Sequence, residues 1–359
     1  MQTQVKKLNF TGQNIYVGMD THKNSWKVSI VYNELLIKTF VQPPEPDVLY
    51  NYLKRNYPGA TYHTAYEASY CGYWIHYRLK ELGINSIVVN PADIPTTNKE
   101  KVQKEDKRDS KKIARCLRNG DLTPIHIPSI KTLQDRTLVR TRYTIVKELK
   151  RFKHRIKSLL LFYGINIPGD LNNRSGYWPK RFVSWLETIK FEEPSATYSL
   201  NILVQQVKNL RATLLDVTRH VRELSKTRAY EQNVKLLMGI PGIGLITAML
   251  IISELEDVCR FKSLDQLCSY VGLVPSTNST GDNEIIGEIT SRGHSMLRTA
   301  IIESAWATVK NDPALLMKYS SLCKRMDANK AIIRIAKKLL NRIRYVLKNQ
   351  QEYVKAVIK

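Results

Sequence analysis

The chain has 359 residues, 43% of them hydrophobic, which is length enough for two or three domains that each bury a core. Lysine and arginine total 56 against 32 acids, and a net charge of +24 favours a nucleic-acid partner, with an anionic membrane surface second. No apolar run approaches the roughly 20 residues that span a bilayer, and five scattered cysteines without a C-x-x-C pair exclude a disulfide framework and structural zinc and read as small core residues.

The start, Met1 to Lys7, lacks a signal-peptide core, so a cytoplasmic protein is expected, associated with the nucleoid when bound to DNA. Residues 15–40 then carry a meander. Ile15 to Met19 is a short apolar strand that ends in Asp20, Trp26 to Tyr32 alternates, and Leu35 to Phe40 follows a turn at Asn33-Glu34. A proline loop leads to a helix over 48–53. Ala60 to Tyr66 reads as another strand, again ending in an acid, Glu67. Trp74 to Leu82 has helical spacing with Gly83 as its cap, Ser86 to Val89 is a buried strand, and 90–103 is a polar, mobile loop. The stretch from Gln103 to Cys116 is a helix with Ile113, Ala114, Cys116 and Leu117 on its apolar face, and Gly120 stops it. Asp106 and Asp109 lie one turn apart on one side of it, among Lys104, Lys107, Arg108, Lys111, Lys112, Arg115 and Arg118.

Three strands, helix, strand, helix, strand, helix is the element order of an α/β ribonuclease-H-like sheet. In that architecture carboxylates at the ends of the first and fourth strands converge with carboxylates of the last helix. Asp20, Glu67, Asp106 and Asp109 hold those places. Each alone has a plainer explanation: a turn cap, a lysine pair, a solvated helix face. Four together call for a neutralising cation, and Mg²⁺ suits a few carboxylates completed by water and phosphate. Two such ions polarise a scissile phosphate and activate an attacking oxygen. His22 reads as an exposed turn histidine rather than a ligand.

From 131 to 230 glycine is scarce and basic residues cover apolar stripes. One long helix runs through Leu138, Ile145, Leu149 and Ile156, and a second from about Thr197 to Leu224, with loop texture between them around a short Trp178 to Ile189 segment. A dimerising helical hairpin or coiled coil and an intramolecular bundle with a solvated basic face are both open. Gly239-Ile240-Pro241-Gly242-Ile243-Gly244 between apolar runs has the helix-hairpin-helix pattern. There Gly242 and Gly244 let backbone N–H groups meet phosphate, although some such hairpins make protein contacts only. Ser276-Thr277-Asn278-Ser279-Thr280 before Gly281 reads as a flexible, exposed loop. Arg292, His294 and Arg298 follow at the start of a helix over 296–309. Its plain reading is a turn and a capped helix; its functional one is a hydroxyl nucleophile with guanidinium groups on the phosphate oxygens. A basic amphipathic helix over 331–348, with Ile335, Leu339 and Ile343 on one face, packs on the preceding domain, contacts nucleic acid, or does both. The expected divisions are 1–128, 129–232, 233–325 and 326–359.

The motifs in order are Val17-Gly18-Met19-Asp20, Glu67-Ala68, Asp106-Lys107-Arg108-Asp109-Ser110, the glycine-rich 239–244 segment, Gly272-Leu273-Val274-Pro275, and Arg292-Gly293-His294-Ser295-Met296-Leu297-Arg298. Nearly the whole chain thereby resembles the DEDD transposases of bacterial insertion sequences, insertion-sequence family one-ten, whose studied members are recombinases guided by a bridge RNA. The resemblance implies a RuvC-like N-terminal domain with Asp20, Glu67, Asp106 and Asp109 on Mg²⁺, and a C-terminal transposase domain whose serine becomes linked to DNA phosphate. It also implies a dimer to tetramer that pairs donor and target DNA, with active sites shared between subunits and both sequences chosen by the RNA. Many relatives have the serine directly before the glycine. Here Thr280 stands there and Ser279 one step earlier, so Ser279 is the expected nucleophile and Thr280 its competitor. His294 stands where the family often has Asn. Lys107, Arg108, Gly242, Gly244, Arg292, His294 and Arg298 are the expected nucleic-acid contacts. Two other classes compete: a Mg²⁺-dependent RuvC-like structure-selective endonuclease in which water attacks, and a non-catalytic nucleic-acid scaffold.

Overall fold

The computed structural model describes residues 9–95, 106–171, 178–280, 283–290 and 292–355, without the side chains of 106–108, 277–280 and 283–286. The chain forms two compact units, Met1–Ile127 and Pro128–Lys359.

In the first unit β1 (Asn14–Thr21), β2 (Trp26–Tyr32) and β3 (Leu35–Gln42) make an antiparallel meander. β4 (Thr61–Glu67) runs parallel to β1, and β5 (Asn85–Val89) parallel to β4, giving the order β3-β2-β1-β4-β5. Parallel neighbours need a crossover, and α2 (Trp74–Glu81) supplies the one between β4 and β5, while α1 (Pro46–Asn56) links β3 to β4. Strand alternation divides the sheet into two faces. Val17, Met19, Val28, Ile30 and Tyr66 are buried with Leu49 and Leu53 of α1 and Ile75 and Leu79 of α2. The other face receives α3 (Asp106–Asn119), whose Ile113 is buried with Ala65, Val89 and Ile94. This mixed sheet is consistent with the expected ribonuclease-H-like order. Of the polar loop expected over 90–103, Pro91–Asp93 form a 3-10 turn capped by Asn90, and everything from residue 96 to the start of α3 lies outside the described residues.

The second unit is mostly helical. α4 (Ile130–Phe162) and α6 (Pro194–Ser225) lie along one another, and α5 (Lys180–Thr188) packs where they meet the connecting segment. Ile156 and Leu160 of α4, Phe182 and Leu186 of α5, and Leu200 and Val204 of α6 form a core of their own there. At the other end of the pair, Val139 and Val221 join the main core, so the two helices run antiparallel within one chain. α7 (Glu231–Met238), α8 (Leu245–Leu255), α9 (Leu264–Val271), α10 (Ser295–Asn311), α11 (Pro313–Cys323) and α12 (Ala328–Asn349) complete that core. Ile335, Leu339 and Ile343 of α12 are fully buried in it, so the last helix packs on the domain before it.

Two expectations are corrected. The hydroxyl-rich segment is a strand, not a loop: β6 (Pro275–Thr280) pairs antiparallel with β7 (Asn283–Ile289), Ser279 opposite Glu284 and Thr280 opposite Asn283. Polar composition hid this strand, because apolar alternation is what marks one in a sequence. The cysteines are not all core residues either, since Cys268 is buried while Cys259 and Cys323 are exposed. Among the described residues no helix is long and apolar enough to cross a membrane.

Candidate functional site

Strand register aligns two acids of the first unit, Asp20 and Glu67. Gly18 pairs with Ala65 and Met19 with Tyr66, so Asp20 near the end of β1 is level with Glu67 at the end of β4. Both lie two residues beyond the pair Gly18/Ala65 and share its face, the one that carries α3. Gly18 is where α3 crosses: a Cβ there would overlap the Ser110 carbonyl and the Ala114 amide, so only glycine admits the helix at this distance. Buried hydroxyls stitch the crossing, with Ser29 Oγ 2.9 Å from Ser110 Oγ and 3.0 Å from Thr39 Oγ1.

The helix runs opposite to β1, because Arg118 near its C-terminus donates to Glu34 at 2.9 Å, at the turn beside the start of β1. From Gly18 to Asp20 is about 6.6 Å of strand, and from Ser110 back to Asp106 is about 6 Å of helix. The first turn of α3, with Asp106 and Asp109, therefore starts level with Asp20 and Glu67. The side chain of Asp106, like those of Lys107 and Arg108, lies outside the described residues. Among the described residues no three of His, Cys, Asp and Glu stand close enough together to hold a metal ion. His22 is a half-exposed turn residue, as expected, and its Nε2 is 3.2 Å from the Asp20 carboxylate.

In the second unit Ser279 and Thr280 end β6, and their side chains too are outside the described residues. The base of that hairpin is closed by glycine against glycine. Gly272 (φ 82°) ends α9 in the left-handed conformation and Gly293 (φ 106°) lies against it: a Cβ on Gly293 would strike the Gly272 backbone, and one on Gly272 would strike the Arg292 carbonyl. Arg298 Nη1 donates to the carbonyls of Thr290 (2.7 Å), Gly272 (3.3 Å) and Arg292 (3.4 Å), holding the same junction. Arg292 is exposed beside it.

His294 faces inward. Its Nδ1 accepts from Leu297 N–H at 3.2 Å and caps α10, so the ring proton sits on Nε2, 3.0 Å from Glu254. Glu254 is fully buried and also accepts from Arg140 Nε and Nη2 at 2.7 and 2.8 Å, with Arg136 Nε 3.4 Å away. Burial works against the Glu254 charge, but the hydrogen bonds from His294 and Arg140 outweigh it and bring the carboxyl down to about 2. One carboxylate thus ties α4, α8 and the N-terminus of α10 together. Sequence reasoning missed it, although a single acid inside the apolar run from Ala248 to Leu255 was the available signal.

Of the two hairpin glycines between α7 and α8, Gly242 (φ 87°) packs against Ser304 and Thr308 of α10, and Thr308 Oγ1 donates to the Pro241 carbonyl at 2.6 Å. Gly244 is exposed and heads α8.

Known proteins resemble this chain in both units. Residues 17–165 match the family model of IS110 DEDD transposases, described as Transposase, and residues 234–321 match the one described as Transposase IS116/IS110/IS902 family. The protein y4qE of Sinorhizobium fredii is 32% identical over 67% of the chain and 57% of its own length. The transposase for insertion sequence element IS1533 of Leptospira borgpetersenii is 27% identical over 68% of the chain and 70% of its own. The transposase for insertion sequence element IS1111A of Coxiella burnetii is 26% identical, covering 76% of the chain and 74% of its own.

Proposed function

Because this chain belongs to the IS110 family of transposases through both matched segments, we propose that it cuts and rejoins the DNA of an insertion sequence by passing a phosphodiester through one of its own hydroxyls. The observation that carries this reading is Asp20 level with Glu67 on parallel strands, beside the first turn of α3. An all-carboxylate oxygen set, two acids at strand ends and two on the first turn of α3, fits a hard divalent cation, and Asp20, Glu67, Asp106 and Asp109 are the residues that would hold Mg²⁺. When bound, the ion neutralises phosphate oxygens and polarises the scissile bond.

Ser279 is the nucleophile, with Thr280 its competitor. Its oxygen bonds to phosphorus as the bond to a deoxyribose oxygen breaks. The serine proton passes to a base, and the departing oxygen takes up a proton. The strand stays joined to the protein as a phosphoserine ester until the hydroxyl of another strand displaces the serine, which is then reprotonated. The 239–244 turn acts as a helix-hairpin-helix on the DNA backbone, with the exposed Gly244 at the head of α8 the better placed of its two glycines. Lys107, Arg108 and Arg292 add positive charge for phosphate. His294 and Arg298, which are engaged within the fold, set the shape of the surface. A bridge RNA chooses donor and target by base pairing, and two to four copies of the chain hold the two DNAs, which leaves the protein only backbone and shape to recognise.

The test is a cleavage and trapping assay with the full-length protein, RNA and DNA carrying the element end. Asp20→Asn removes all strand cleavage. A covalent protein–DNA adduct, seen on a denaturing gel, is lost in Ser279→Ala. Normal recombination by both Ser279→Ala and Thr280→Ala rejects the nucleophile assignment, and cleavage without any adduct favours attack by water.

A further inference from the structure

A cleft of about 320 Å³ opens at the end of the first unit where Asp20 and Glu67 lie. Its walls are the turn after β1 and the loop after β4. Tyr70 is 75% exposed and Trp74 50% exposed, while Trp26 at its floor is fully buried. Trp74 leans on Trp26 with ring centroids 6.1 Å apart, and the Tyr70 hydroxyl accepts from the Lys23 backbone N–H at 3.1 Å, so both rings are held in place rather than swinging freely. His22 belongs to the cleft and to the acids at once: it lines the opening and its Nε2 is 3.2 Å from Asp20.

Two large aromatic faces held open to water have an unmet use. The volume is at the small end for ligand sites, the size of one ring system rather than a nucleotide cofactor. Lysine at the rim and a chain of net charge +24 favour a polyanion as the carrier of that ring. We propose that the cleft between Tyr70 and Trp74 seats an unstacked nucleobase of the DNA strand whose phosphate lies at Asp20 and Glu67. This rests on the phosphoryl-transfer reading above and adds to it a grip on the strand next to the reacting phosphate. Stacking on aromatic faces is tolerant of base identity, which suits a protein that leaves sequence choice to another molecule.

The experiment measures binding of a single-stranded DNA oligonucleotide from the element end to the full-length protein, with one abasic residue moved along the oligonucleotide. At one position the abasic residue weakens binding by wild type on the order of 10-fold. The same residue costs nothing extra in Trp74→Ala, costs less in Tyr70→Ala, and keeps its effect in Trp74→Phe, which retains a ring against Trp26. A flat scan in wild type overturns the proposal, and so does a penalty that survives unchanged in Tyr70→Ala and Trp74→Ala. If Trp74→Ala does not fold, Tyr70→Ala decides. Asp20→Asn separates the two claims, because it abolishes cutting and leaves the abasic penalty. Normal cleavage with a flat scan removes the cleft alone, and a clear penalty without cleavage by wild type removes the reaction alone.

Discussion

At Gly18 a single hydrogen atom decides whether α3 can reach the sheet. Gly18→Ala drives a methyl group into the backbone of Ser110 and Ala114, neither of which can rotate away. Overpacking of this kind costs about 3 kcal/mol, and a drop of that size is expected in the urea unfolding of the first unit, with loss of DNA cleavage. Glu254 makes the opposite demand, for charge rather than space. Its carboxyl is held at about 2 in the fold against 4.5 when free, a depressed value, so its stabilisation is full above about pH 5 and disappears as pH falls toward 2. That shift corresponds to about 3 kcal/mol. Glu254→Gln leaves Arg140 and Arg136 short of their counter-charge and is expected to destabilise the protein by about 3 kcal/mol at pH 7. The gap between wild type and variant in chemical unfolding narrows as pH is lowered from 5 to 2. A gap that stays constant refutes the account.

The long helical pair has two separate anchorages. Near the tip, Phe182 and Leu186 of α5 are buried in one cluster with Ile156 and Leu160 of α4 and Leu200 and Val204 of α6, whereas the base belongs to the main core. Leu186→Ala is therefore expected to cost about 2–5 kcal/mol locally. Hydrogen exchange reads this as faster exchange over the tip halves of α4 and α6, with α8, α10 and α12 unchanged; acceleration spread evenly over both regions contradicts the division. These helices were legible from sequence because their apolar residues recur at a helical period over many turns. The short α9 and α11 and the β6–β7 hairpin were not. A strand of Ser, Thr and Asn carries no apolar alternation, and its identity comes from the ladder to β7 and the glycine pair at its base.

Over the whole molecule, the charge of +24 is the property a polyanion meets first. If the protein binds several phosphates at once, its DNA affinity falls on the order of 1,000-fold or more between 50 and 200 mM salt. A titration that shows almost no salt dependence contradicts backbone binding. Charge reversal at the exposed Arg292 lowers the slope of log affinity against log salt by about one for each phosphate that is no longer neutralised. The same change at Arg298 is read mainly as unfolding, because its guanidinium holds three carbonyls of the hairpin base.

By itself the sequence determined the succession of strands and helices along the first unit, with Asp20 and Glu67 at strand ends and Asp106 and Asp109 on the helix, the two long helices and the basic character, because each is written in local spacing and composition; the order of the strands in the sheet came from the structure. Only the tertiary structure decided that His294 turns inward to Glu254 and that Gly242 packs on α10. It also decided that the hydroxyl segment is a strand and that Tyr70 and Trp74 open a cleft beside Asp20. The physical reason is that a side chain's partner, its burial and the face it presents are set by residues tens to hundreds of positions away, which no local pattern records.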